Sequence, residues 1–183
     1  ARASRTYIFY FKEKNQVMYN AFEWCDDNSE PEIQNLQDIP VDIYPWWMEK
    51  VWNGKNVVIS DVQALPEIAS AEKEILTAQD NKSLLVVPLG RKNNIIGFLG
   101  FDDTEKTRIW DKLEIEYLQV IAEMITSFEL GRRSEQQYQR ISERYDVLAE
   151  AANDMIFVID KNDRVTYVNQ FAAKSLGDVP ENV

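Results

Sequence analysis

The sequence predicts an α+β fold in which a central antiparallel β-sheet is covered by helices on both faces. Two pairs of aromatic and β-branched runs, each pair split by a short polar turn, read as β-hairpins. The second pair is apolar at consecutive positions, Leu84 to Val87 and then Ile95, Ile96, Phe98, Leu99 and Phe101. A sheet wet on one face would alternate apolar with polar, so these strands are expected to be buried on both sides. A stripe of Leu118, Ile121, Ile125 and Phe128 at 3-4-3 spacing then supplies a helix that can cover one face.

The first hairpin joins Ser4–Phe11 to Gln16–Trp24 through the polar Lys12–Asn15. Residues 25–40 are acidic, carry two prolines and keep no period, so they are expected to form a long mobile surface loop. Pro45 suits the first turn of a helix, where its missing N–H costs nothing, and Gly54 suits the C-terminal cap. At 100° per residue, Trp47, Met48, Val51 and Trp52 share one side of that helix, while Trp46 falls among Glu49, Lys50 and Asn53. A short strand at Asn56–Ser60 and a helix from about Pro66 follow, the helix with Ile68, Ala71, Ile75 and Leu76 inward. The second hairpin, Ser83–Asp103, turns at Lys92–Asn94, where asparagine tolerates positive φ. Asp111 with Glu114 forms a capping box at the start of the long helix.

Past Gly131 the chain turns polar, yet Tyr138, Ile141, Tyr145 and Leu148 keep the 3-4-3 spacing. A narrow apolar stripe on a charged helix calls for a partner helix, and the same segment of a second copy is the expected one. After Asn153 the pattern changes to two short strands around Lys161–Arg164 and a small helix, the start of a second domain. The organisation read from this pattern is a first domain over 1–132, a helical linker over 133–150 and a partial second domain over 151–183.

Composition narrows the function. With 20 Lys plus Arg against 31 Asp plus Glu, the net charge of -11 repels phosphate backbones and anionic lipid, so neither nucleic acid nor membrane contact is expected. No apolar run reaches the roughly 20 residues of a membrane span, and a cytoplasmic location is expected. One cysteine, Cys25, allows no internal disulfide. There is no histidine at all, which removes Ser-His-Asp and Cys-His catalysis, a phosphate-accepting histidine, histidine-ligated haem and most zinc sites. No catalytic residue and no metal site are expected. Asp26 with Asp27 and Asp102 with Asp103 are read as turn caps rather than cation ligands, and Asn53–Lys55 lacks the rest of a Walker motif.

The stretch Ser83–Ile125, with its Val-Pro-Leu strand, tight turn, Ile-Ile-Gly strand, Trp110 and long amphipathic helix, resembles the C-terminal half of a GAF domain. Ser4–Phe11 and Val57–Pro66 fit that family's first strand and the turn before its inner helix. Tyr145–Gly177 is similar to the first third of a PAS domain. The resemblance implies a sensory and dimerisation module, as in sensor histidine kinases or cyclic-di-GMP signalling proteins, with the output domain elsewhere. It implies a small-molecule pocket between the sheet and the inner helices, for which Phe22, Trp24, Trp47, Val51, Trp52 and Phe98 are the candidate walls, core packing being the alternative role. The ligand is unassigned. Covalent bilin attachment is disfavoured, because Cys25 precedes Asp26 rather than histidine, and the cyclic-nucleotide Asn-Lys signature is missing. A ligand-free connector that only dimerises is the other reading the residues leave open.

Overall fold

The structure, a computed structural model, describes residues 3–177; the end of the expected second domain, 178–183, lies outside the described residues. Six antiparallel strands form one sheet in the order β3-β2-β1-β6-β5-β4. These are β1 (Arg5–Lys12), β2 (Val17–Cys25), β3 (Ile39–Pro40), β4 (Val57–Ile59), β5 (Ser83–Arg91) and β6 (Asn94–Asp103). Helices α1 (Pro45–Trp52) and α2 (Ser70–Ala78) precede β5, and α3 (Lys112–Ala151) follows β6.

Both faces of the sheet are buried, as the consecutive apolar runs require. Leu84 and Val86 of β5 join Tyr7, Phe9, Phe11, Phe98 and the α1 residues Trp47, Met48 and Val51 in one core. Leu85, Val87 and Leu89 point the other way, to Tyr10, Leu99, Trp110, Leu118 and Ala122. The β1–β6 pairing brings Gly97 opposite Tyr10 and Gly100 opposite Tyr7. Only a residue without Cβ fits at Gly97, since an added Cβ would lie 2.0 Å from the Phe9 carbonyl oxygen.

The capping box of α3 forms as expected, with the Glu114 amide donating to Asp111 Oδ1 (2.8 Å) and the Asp111 amide to Glu114 Oε2 (3.3 Å). The face of α3 that meets the sheet is offset from the expected stripe. Ile115, Leu118, Ala122 and Ile125 pack on it, while Ile121 and Phe128 are exposed. Both sets have 3-4-3 spacing, and the small Ala122 lets the helix approach the sheet closely. In α2, Leu76 is buried and Ile75 packs at the edge of the core, but Ala71, and Ile68 just before the helix, face outward. A 3-10 turn at Glu67–Ala69 precedes the helix and changes its phase. That phase puts Glu72, not Ala71, in the interior.

The chain divides into compact units at 1–128 and 129–183, the boundary falling within α3. In the second unit β7 (Phe157–Ile159) pairs with β8 (Val165–Val168), and α4 (Gln170–Leu176) follows. Asn169 organises this unit: its side chain is fully buried, accepts from the Ile156 and Ala172 amides, and donates to the Ala149 and Asp154 carbonyls. The α3 residues Tyr138, Ile141, Tyr145 and Leu148 are all exposed.

Candidate ligand site

The expected aromatic residues are divided between three environments. Trp47 and Phe98 line a cavity between the sheet and the inner helices. Val51 is fully buried in the adjoining core, and Trp52, half-buried, packs against Phe11 with ring centroids 4.4 Å apart. Phe22 and Trp24 are 60% and 59% exposed and line no part of the cavity. A β-bulge accounts for this correction. Ile8 pairs with Phe22 but Phe9 pairs with Asn20, so Ala21 is an extra residue. Met18 and Asn20 therefore face the cavity side, and beyond the bulge Glu23 does so in place of Phe22 and Trp24. Trp46, expected among the polar residues of α1, is instead half-buried and packs against the edge of the core, with the Lys50 ammonium 4.6 Å from the ring centre.

The cavity is partly open and holds about 40 Å³. One wall is a continuous set of rings. Phe9 stacks on Phe98 at 4.9 Å, Trp47 meets Phe98 at 5.8 Å, and Tyr44 meets Trp47 at 5.8 Å. The other wall is polar and comes from the first strand and the end of the sixth. Arg5, 4% exposed, donates through Nη2 to the Gln79 carbonyl (2.6 Å) and to Asn81 Oδ1 (3.0 Å). The Tyr7 hydroxyl donates to Asp102 Oδ1 at 2.7 Å. Burial, then the Asp102 charge, holds the Tyr7 hydroxyl well above its ordinary pKa, and burial with the charges of Asp102 and Glu72 pushes Tyr44 up to about 12.

The long acidic loop closes one side of this cavity through Glu32 and Leu36. It is tied down rather than free. Glu23 Oε2 accepts from the amides of Glu32 (2.9 Å) and Ile33 (2.8 Å), and the Asn20 amide donates to the Leu36 carbonyl (2.8 Å). The Gln37 side chain donates to the Asn20 and Ile33 carbonyls. Backbone amides anchored by one carboxylate make a cover whose position depends on that carboxylate.

Sequence reasoning missed the polar half of the site. The signal was parity: Arg5, Tyr7 and Phe9 alternate along one strand, and Phe98, Gly100 and Asp102 along its neighbour, so each set shares a face. Of the aspartate pair read as turn caps, Asp103 is one, accepting from the Glu105 and Lys106 amides. Asp26 likewise accepts from the Asn28 amide. Asp102 instead points inward and is 4% exposed. Among the described residues no group of three metal-ligating side chains occurs.

Burial raises the Asp102 carboxyl to about 6, against the lowering influence of Tyr7, Arg5 and Asn81. Its folded pKa thus lies above the unfolded one. The stabilisation from its neutral form is present at acid pH and is lost as pH rises through about 6. Asp102→Asn keeps an acceptor for Tyr7 and removes that loss. The variant is expected to gain about 1–3 kcal/mol over the parent at pH 8 and to gain little at pH 4, read as the difference between their urea-unfolding curves. An equal difference at both pH values would exclude this account.

The GAF domain profile matches residues 2–127 and a PAS domain profile matches residues 143–182. The methanogenesis regulatory histidine kinase FilI of Methanothrix harundinacea (strain 6Ac) is 33% identical over 128 residues, which cover 66% of this chain and 14% of that protein. The chain therefore spans about one seventh of that relative. Among solved structures, the fold is similar to GAF3 from Slr1393 of Synechocystis sp. PCC6803 in its photoproduct state, with TM-score 0.64 and 18% identity over 75% of this chain and 88% of the other. It is also similar to the PixJ GAF domain of Thermosynechococcus elongatus in its blue-light absorbing form, with TM-score 0.59 and 19% identity over 78% and 83% of the two chains. At these identities the two structures speak to the fold. The six-stranded sheet, the helices on both its faces and the matched span agree, and the chain belongs to the GAF domain family, with a PAS domain segment following.

Proposed function

We propose that this chain is the sensory and dimerisation segment of a cytoplasmic histidine kinase, non-catalytic in itself, in which the state of the GAF cavity biases the packing of α3. The observation that supports this reading most directly is the two-sided sheet. Phe98 of β6 lines the cavity, and its neighbour Leu99 packs with Leu118 and Ala122 of α3 on the opposite face. A displacement of β6 by a ligand reaches α3 through one strand. Such a signal requires two packings with different ligand affinity, because equal affinity shifts nothing. The exposed Tyr138, Ile141, Tyr145 and Leu148 of α3 are the proposed dimer contact.

The cavity's size favours a second reading. At about 40 Å³ it is far below the roughly 300 Å³ at which small-molecule pockets begin, as a ligand-free connector would have it. Disulfide cross-linking separates the two. In a Cys25→Ser background, Ile141→Cys is expected to cross-link within a dimer whose mass native mass spectrometry reports; a monomer would overturn the dimer assignment. Filling the cavity with Leu36→Trp is expected to change the rate of that cross-linking several-fold. An unchanged rate in a folded variant would leave the connector as the function.

A further inference from the structure

The cavity carries an imbalance between its donors and acceptors. Arg5 Nε and Trp47 Nε1 are both buried without any hydrogen-bond partner, on side chains only 4% and 5% exposed, and both residues line the cavity. The carboxylates of the same lining are provided for. Glu23 accepts from two loop amides, Asp102 accepts from Tyr7, and Glu32 accepts from Asn35 while its other oxygen lies 4.0 Å from Arg5 Nη1. Buried polar groups are almost always paired, and an unpaired guanidinium or indole N–H in an apolar surround is costly. Asn20 Oδ1 and Glu72 Oε2 are also unpartnered but lie outside the lining, and among the lining residues both unpartnered buried atoms are donors, one on each wall.

Size limits the acceptor further. At about 40 Å³ the cavity admits only a small acceptor group, such as a carboxylate on a short chain. The ring wall of Phe9, Phe98 and Trp47 offers an apolar surface for the tail of such a group.

We propose that this cavity binds a short-chain monocarboxylate, its oxygens accepting from Arg5 Nε and Trp47 Nε1 and its alkyl end against Phe9 and Phe98. The proposal rests on the sensory reading above and names the class of ligand it would sense. Charge sets a condition on it: Arg5 and a protonated Asp102 must offset the like charge of Glu23 and Glu32. The anion meets the one cation of the lining, Arg5, and the charged and titratable groups facing it are Glu23 from β2, Glu32 from the loop, Tyr7 from β1, Tyr44 before α1 and Asp102 from β6. Asp102, held up to about 6 by burial, is the group that can take up a proton when the anion enters.

The test is NMR titration of the 1–183 chain with formate, acetate and propionate, following the Trp47 indole N–H resonance, assigned by its loss in Trp47→Phe. Methylamine, ethylamine and acetamide serve as size-matched controls. A saturable shift of that resonance with a carboxylate is expected, absent with the amines and weakened at least tenfold by Arg5→Gln. Circular dichroism confirms the fold of that variant, and Arg5→Lys is expected to restore part of the affinity through charge alone. Affinity is expected to fall as pH rises through about 6, with proton uptake on binding. Saturation by an amine, or no shift with any probe, would overturn the proposal, the two N–H groups then being met by water. Failure here with a cross-linking rate that still responds to Leu36→Trp would remove the ligand class and leave the sensory reading standing; failure of both would remove both.

Discussion

Gly97→Ala is expected to destabilise the chain by about 3 kcal/mol or more, or to prevent folding outright. The two central strands, β1 and β6, approach at this position, and the added methyl would lie 2.0 Å from the Phe9 carbonyl oxygen and 3.0 Å from its carbon. Neither atom belongs to a side chain that could swing away. Relief would require the strands to part, and with them the pairing that holds both cores. Gly131→Ala provides the contrast. This glycine lies inside α3 with nothing within 4 Å of the place a Cβ would take, so the change is expected to stabilise by about 0.5–1 kcal/mol through helix propensity and a stiffer unfolded chain. Urea unfolding followed by circular dichroism reads both. Equal effects of the two substitutions would contradict the close approach at Gly97.

Phe98→Ala is expected to cost about 4 kcal/mol, within the range for removal of a large buried aromatic. The ring is 2% exposed, stacks on Phe9, and lies 6.0 Å from Phe11 and 5.8 Å from Trp47. It is the one ring that touches all of them, so its loss leaves a void that no neighbour closes without leaving its own packing. Phe98→Leu retains most of the volume and is expected to cost about 1.5 kcal/mol or less. A cost below about 2 kcal/mol for the alanine variant would mean that the ring wall relaxes into the space. The cavity would then be a soft one, inconsistent with selection by size.

The fold was legible in the sequence where one physical rule acted alone. Consecutive apolar residues in β5 and β6 foretold burial on both faces, and the Asp111–Glu114 box foretold the start of α3 to the residue. The Trp47, Met48 and Val51 side of α1 followed from periodicity. The reading failed where a local irregularity changed the count. One extra residue, Ala21, moved Phe22 and Trp24 to the opposite face, and nothing in the residue types of β2 marks that position. The 3-10 turn before α2 rotated Ile68 and Ala71 outward. In α3 two sets of residues satisfied the same spacing, and the sheet selected the set containing a small residue. The polar half of the site went unseen because its members lie far apart in the chain; Arg5 meets Gln79 and Asn81 only once the sheet is assembled.

One carboxylate ties these parts together. Glu72 of α2, fully buried, accepts from the amides of Trp46 (2.8 Å) and Trp47 (3.1 Å) at the start of α1, where no local side chain caps the helix. The positive end of one helix is thereby anchored on the side of another. The two helices are thereby joined, and the residues just past the end of α2, Gln79 and Asn81, hold Arg5. Trp47 and Arg5, which reach the cavity from different elements, are thus linked through one continuous stretch of the inner layer, from the Glu72 carboxylate to Gln79 and Asn81.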